Sequence, residues 1–343
     1  MRITYLLQDT TLFGGTKVPL QQANLMIRRG HDVTVVTTGG RPDWFEIKAR
    51  FVSTSSLGAA IPESDVIVAT FWTTIEPAID SGRGQVLHYC QGAEFEYTHN
   101  AAEHPAILRA YGHQIPGMVV SPHLGEMLDR RFRRPSRFVP QPLEEHWKPR
   151  VWRWRPGAPA RLLVTSPFEI DWKGVATSLE AVTLLRKSGL PCRLIRLSQW
   201  PLTAAEENLA RPDEYHANLK PAEVSELMRG CDLLLAASWE QEGFGLPVVE
   251  AMSCGVPVVA SDISAFRAFA SSAALLVPPR EPAAFASAAE ELLTQPGVWR
   301  AHRRRGLEVA KEFREARSAT IAEETLEWAK SGAWRQNLPP ART

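Results

Sequence analysis

Paired cysteines, long apolar runs and an excess of charge of either sign are all missing from these 343 residues. The four cysteines, Cys90, Cys192, Cys231 and Cys254, stand far apart and show no paired metal-ligand spacing. That pattern excludes a disulfide scaffold or a zinc ribbon. Cys90 and Cys231 lie in apolar runs, so buried reduced thiols are expected there. No apolar segment approaches the ~18 residues that a membrane-spanning helix needs. Lysine and arginine total 39 against 38 aspartates and glutamates. So even a balance gives no reason to expect nucleic acid as a partner and points to a small molecule. His99, His104, His113 and His123 form no convincing metal-ligand pairs. The chain runs from Met1-Arg2 directly into a strand-like segment without a signal-peptide pattern. The expectation is a cytoplasmic protein, with room for peripheral contact on the inner face of a membrane.

What is present is an alternation of short apolar strands and amphipathic helices, twice over. The first half opens with Ile3–Leu7, a Gly14-Gly15 turn and a helix from about Thr16 to Arg29. The second opens with Arg161–Thr165, a turn around Asp171 and a helix from about Gly174 to Lys187. Asp65–Thr70 and Gln85–Cys90 continue the pattern in the first half, and Cys192–Leu197, Cys231–Ala237 and Val256–Ala260 in the second. Such alternation predicts parallel, doubly wound sheets, hence an α/β fold of two Rossmann-like domains. Between Trp147 and Pro159 prolines and tryptophans interrupt every periodicity, which predicts a linker. The expected division is therefore residues 1–150, residues 151–312, and a terminal segment 313–343 whose helical pattern covers Glu312 to Ala329. In open parallel sheets ligands bind beyond the carboxyl ends of the strands, so the expected site is the cleft where two such domains face each other.

One block carries most of the chemical information. From Glu242 the chain reads E-G-F-G-L-P-V-V-E, with seven residues between Glu242 and Glu250. The apolar run Cys231–Ala237 before it predicts a buried strand, and Pro247 suits the first turn of a helix. Gly243 and Gly245 fall in the connecting turn, where a backbone without side chains lets a ligand come close and helix-start N–H groups favour anionic oxygens. Carboxylates at neutral pH only accept hydrogen bonds, which suits ribose and hexose hydroxyls.

This block resembles the E-x7-E signature of retaining glycosyltransferases of the GT-B fold, in particular the family 4 group. Further matches run in order along most of the chain: Phe13-Gly14-Gly15 and Arg29–Val36 near the start, then Val119-Val120-Ser121 and Arg137–Pro140. Lys173-Gly174 and Ala274–Pro279 follow. The resemblance implies that residues 151–312 hold the nucleotide sugar and that residues 1–150 shape the acceptor site, with the last helix crossing back to the first domain. It implies that Glu242 contacts the transferred sugar and Glu250 the ribose, with Gly243, Phe244, Gly245 and Leu246 completing the donor loop. Lys173 takes the phosphate-binding position, and Gly14 and Gly15 form the other half of a phosphate cradle. Gln91 occupies the place where relatives often have a histidine that reaches the donor sugar. A glutamine there can hydrogen-bond a hydroxyl but cannot act as acid or base. His88, three residues earlier, reads better as a core histidine.

The chain also departs from the family. Relatives usually carry an arginine five or six residues before the lysine, where Pro167 and Phe168 stand here. Arg196, near the end of Cys192–Leu197, either supplies that second positive charge or is a surface arginine without a ligand role. Arg130, Arg131, Arg133, Arg134 and Arg137 make a short basic cluster that reads as a solvated helix end or as a contact for anionic lipid. Glu94 and Glu96 stand as candidate acceptor ligands. The expected function is metal-independent transfer of a hexose from a UDP-, GDP- or dTDP-linked donor to a glycan, lipid-linked or small-molecule hydroxyl. The alternatives are an epimerase or phosphorylase on the same fold, or a pseudo-glycosyltransferase that binds nucleotide sugar without turnover.

Overall fold

Every strand expected from an apolar run forms, and all of them pair in parallel. A computed structural model describes residues 1–150 and 153–337. The first unit comprises residues 1–142 with 315–343, and the second residues 143–314. In the first, β1 (Arg2–Leu7), β2 (Asp32–Thr37), β3 (Arg50–Ser53), β4 (Val66–Ala69), β5 (Gln85–Cys90), β6 (Gly117–Val119) and β7 (Ser136–Phe138) make a sheet. Its order is β3-β2-β1-β4-β5-β6-β7. The second unit holds β8 (Ala160–Thr165), β9 (Cys192–Ser198), β10 (Glu214–Ala217), β11 (Leu233–Ala236), β12 (Val258–Ser261) and β13 (Leu275–Val277). They lie in the order β10-β9-β8-β11-β12-β13.

These orders fix where a ligand can sit. In each sheet the strand order reverses once, between β1 and β4 and between β8 and β11. At such a point the connections leave to opposite faces and open a crevice at the carboxyl ends of the two strands. The register is tight there: Leu6 pairs with Ala69, and Val164 with Leu235. Helices then cover both faces. The Val175–Lys187 helix buries Leu179, Val182 and Leu185, at three-residue spacing, against Leu162, Val164 and Leu235 of the sheet. Each such side chain contributes about 1.5–3 kcal/mol by leaving water.

Two boundaries differ from the sequence expectation. The linker stretch does not hang free but lies on the second unit, so the division falls at Pro142/Leu143 rather than at residue 150. Trp147 is buried and its carbonyl accepts from Ser253 Oγ, while the His146 carbonyl accepts from Ser225 Oγ. Asp232, fully buried, accepts from the Gly157 and Arg161 amides and pairs with Arg153. Val151 and Trp152 of that stretch lie outside the described residues, as do residues 338–343. At the other end the terminal helix begins at Glu315, after a short 3-10 turn over Lys311–Phe313. It packs on the first unit through Glu315 with Arg28 and Glu323 with Arg29 and His31. No described helix is long and apolar enough to cross a membrane.

Candidate functional site

Both loops at the β8/β11 reversal are locally determined. After β8 the chain makes a 3-10 turn over Asp171–Lys173, closed by Gly174 in the left-handed region at φ 62°. Only glycine fits there, because a Cβ would stand 1.9 Å from the Ala237 carbonyl oxygen. After β11 the chain runs to Gly245, also left-handed at φ 87°, which starts the Leu246–Ser253 helix with Pro247 in its first turn. The Trp239 amide donates to the Trp172 carbonyl at 2.8 Å, tying the two loops together.

That tie sets the first two predicted residues side by side. Lys173 Nζ donates to Glu242 Oε2 at 2.8 Å and to Oε1 at 3.1 Å. The same ammonium lies 4.1 Å from the centre of the Trp172 ring. Ser238 Oγ donates to Glu242 Oε2 at 2.9 Å. Glu242 is buried and Lys173 half-buried, so the pair is held in a low-dielectric setting at the mouth of the sheet. Ser238 and Trp172 were missed by sequence reasoning. Their signal was position alone, since Ser238 lies just past the carboxyl end of a buried strand and Trp172 is next to the lysine.

The remaining donor-loop residues divide between backbone and packing. The Phe244 ring stacks on Phe269 at 4.7 Å and meets Phe313 at 5.4 Å, so only its backbone is left for a ligand. Gly243 precedes it in the loop, and Leu246 is half-buried at the helix start. Glu250, which its spacing from Pro247 sets in the first helical turn, is buried and is the fifth residue of its helix, in the second turn, because the helix already begins at Leu246, directly after Gly245.

Arg196 is neither of the two things expected of it. It is a buried side chain, 1% exposed, paired to Glu206 through Nε at 2.8 Å and Nη2 at 2.7 Å. Its other donors reach the carbonyls of Val164, Leu197 and Ser166. Burial lowers its pKa and Glu206 opposes that shift. Arg196 therefore props the turn at Ser166, a non-glycine residue at φ 84°, and is not a free cation for phosphate. Phe168, in the place of the family's arginine, packs against the core.

In the first unit the features after β1, β4 and β5 come together. The helix begins at Gly14 rather than Thr16, with Phe13 as an N-cap that makes no side-chain bond. Gln91, following β5, donates Nε2 to the Gly15 carbonyl at 2.9 Å and to the Thr70 carbonyl at 3.3 Å. His88 is fully buried with neither ring nitrogen hydrogen-bonded, edge-on to Tyr111. Burial, reinforced by Arg134, holds its pKa well below the ordinary value, so it is a neutral core residue. Glu94 does not face an acceptor site, because it is buried and takes a hydrogen bond from Tyr111 Oη; Glu96 is exposed. The basic cluster is dispersed: Arg134 is buried on the Ile115 and Tyr111 carbonyls, Arg131 lies over Phe95, and Arg137 over Trp328. Among the described residues no group of three or more His, Cys, Asp or Glu is placed to hold a metal ion.

Residues 159–295 match the model of the glycosyl transferases group 1 family. The chain has the GT-B fold, and its residues 159–295 are similar to the group 1 glycosyl transferases. Lys173, Glu242 and Glu250 all fall within those residues. The O-antigen chain mannosyltransferase B of Escherichia coli is 42% identical over 73 residues, 21% of this chain and 19% of that protein. The aligned stretch thus spans well under two thirds of the relative's length. The sucrose-phosphate synthase of Thermosynechococcus elongatus is similar in structure, with a TM-score of 0.80 at 17% identity over 96% of this chain and 99% of that one. Anabaena HepE in complex with UDP and glucose has a TM-score of 0.74 at 15% identity, covering 95% of this chain and 99% of that one. At these identities the likeness is one of fold.

Proposed function

We propose that this protein is a retaining glycosyltransferase that moves a hexose from a nucleoside-diphosphate sugar to an acceptor hydroxyl. The observation that carries the reading is the Lys173–Glu242 contact at the β8/β11 reversal, beside a helix start opened by Gly245. A cation, a sugar-directed carboxylate and a helix start at one crevice are what cleavage of a glycosyl diphosphate needs. The C1–O bond breaks with its electron pair leaving on the diphosphate, whose charge Lys173 and the helix-start amides stabilise. The acceptor oxygen bonds to C1 on the face just vacated, and its proton passes to the departing phosphate oxygen. No protein nucleophile enters. Glu242 accepts from a hydroxyl of the sugar and Glu250 from the ribose, while Gly14 and Gly15 offer amides to anionic oxygens in the first unit.

The donor is proposed to be UDP-, GDP- or dTDP-linked, used without a bound metal. The complex of Anabaena HepE with UDP and glucose supports a nucleotide sugar. The E. coli relative's name supports mannose within the hexose class and a polysaccharide acceptor. Incubation with a panel of such donors and acceptors, with and without chelator, tests the reading, and product linkage by NMR tests retention. Undiminished transfer by a Lys173→Ala, Glu242→Ala double variant would remove the site assignment. A second reading, binding without turnover, is favoured by one observation: Pro167, Phe168 and the buried Arg196 supply no second cation beside Lys173. Tight nucleotide binding with no transfer to any acceptor would establish it.

A further inference from the structure

We infer that Gln91 is a positioning residue whose amide replaces the backbone N–H that Pro19 removes from the first helix, fixing the Gly14-Gly15 end of that helix. The inference rests on the proposed function for its catalytic consequence alone. Pro19 lies inside the Gly14–Arg28 helix. A proline there has no N–H to give to the carbonyl four residues earlier, and its ring crowds that carbonyl. The carbonyl in question belongs to Gly15. It is the one that accepts from Gln91 Nε2, at 2.9 Å.

The geometry makes this a cross-link between neighbouring strand ends. Gln91 follows β5 and Thr70 follows β4, while the Gly14 helix follows β1; these three strands are adjacent in the order β1-β4-β5. The two N–H groups of the amide reach the Gly15 carbonyl and, at 3.3 Å, the Thr70 carbonyl. Thr70 is itself fixed, its hydroxyl donating to the Leu6 carbonyl at 2.7 Å and its amide to the same oxygen at 3.3 Å. The glycine end is thus tied through Gln91 to the carboxyl end of β1. Phe13 provides no side-chain cap, and Gly14 and Gly15 are exposed, so beyond the backbone bonds from the Thr16 and Lys17 amides to the Phe13 carbonyl this turn relies on Gln91. A helix end offered to an anion works best when it is held before the ligand arrives.

This assigns Gln91 an indirect part, distinct from contact with the sugar. A double-mutant cycle separates the two, because Pro19→Ala restores the missing N–H. In the wild-type background Gln91→Ala is expected to lower kcat/KM by about tenfold, an effect of one lost positioning bond. In the Pro19→Ala background the same change is expected to cost less than about twofold, since neighbours that share a partner are non-additive. Hydrogen exchange across residues 14–25 supplies a readout independent of activity. Exchange should quicken in Gln91→Ala and return toward the wild-type rate in the double variant, with the melting temperature confirming that each variant folds. An equal loss of transfer in both backgrounds would overturn the inference and put Gln91 in direct contact with the donor. Unchanged exchange in Gln91→Ala would overturn it as well. If the exchange cycle behaves as expected but wild-type protein transfers no sugar to any acceptor, the positioning role stands and the proposed function fails.

Discussion

Lys173 and Glu242 hold each other, with both carboxylate oxygens of Glu242 on one ammonium. On the proposed function each has a different partner in the donor complex, a phosphate for Lys173 and a sugar hydroxyl for Glu242. Donor binding then exchanges one ion pair for another, and Ser238 remains to orient the released carboxylate. Glu242→Gln removes the competing charge but keeps the shape. It should tighten binding of the free nucleoside diphosphate by about tenfold, in the range of coupling between ion-pair neighbours. The same variant should lose at least about tenfold in transfer, because the amide accepts less strongly than a carboxylate. Calorimetry with the diphosphate and initial rates with the sugar donor measure the two effects. Equal diphosphate affinity in wild type and variant would show that the pair does not compete.

Arg196 and Glu206 make a second ion pair that sees almost no water, with side-chain exposures of 1% and 2%. Breaking a buried pair from one side strands a charge, at a cost of about 3–5 kcal/mol. Arg196→Ala should therefore lower the urea midpoint of the second unit sharply. Replacing both, as Arg196→Met with Glu206→Leu, should recover much of that loss. The double variant still lacks the three bonds to the Val164, Leu197 and Ser166 carbonyls, so its donor affinity should stay reduced. Full recovery of both quantities would mean that the Ser166 turn needs no prop.

The outcome for Arg196 shows where sequence ends as a guide. The central strands were legible because they are continuous apolar runs, buried on both faces. The edge strands Arg50–Ser53 and Glu214–Ala217 were not, being short and half-exposed. Glu242 and Gly245 could be set in their turn from spacing, and Lys173 was singled out through the resemblance, because each position depends on a local turn. Arg196 could not, since its role depends on how the loop after its strand turns the following helix back to set Glu206 against it. Gln91 was legible as a position but not as a hydrogen bond. Its partner, the Gly15 carbonyl, becomes available only when Pro19 lies inside the helix.

Two left-handed glycines should respond very differently to alanine. At Gly30, φ is 85° and nothing lies within 4 Å of a new Cβ, so Gly30→Ala meets only the intrinsic penalty of about 1–2 kcal/mol. At Gly174 the same penalty is joined by a backbone clash, the Cβ falling 1.9 Å from the Ala237 carbonyl oxygen. Gly174→Ala must push the β8 and β11 loops apart, and Lys173 moves with them. It should cost more than about 3 kcal/mol in chemical denaturation, as overpacking adds to strain. Donor binding should fall as well, whereas Gly30→Ala leaves it unchanged. Similar losses at both positions would show that the loop yields easily.

Glu94 gives the first unit an unusual dependence on pH. Burial raises its carboxyl from an ordinary 4.5 to about 7, with the Tyr111 hydrogen bond opposing the shift. Around it lie Tyr111 and Cys90, and burial pushes the Cys90 thiol up to about 12, so neither adds a charge near neutrality. Below pH 4.5 the carboxyl is protonated in both folded and unfolded chains and costs nothing. As pH rises from there to about 7 the unfolded chain releases this proton first, so the folded state loses stability across that window. Above it both states are ionised and the full loss, about 3 kcal/mol, has been incurred. Glu94→Gln keeps an oxygen for Tyr111 and removes the titration. The variant should match wild type near pH 4.5 and exceed it in stability by up to about 3 kcal/mol at pH 8. Urea unfolding at a series of pH values measures the difference curve. Two parallel curves would mean that Glu94 ionises in the native state as easily as in the unfolded one, for instance through water entering beside Tyr111.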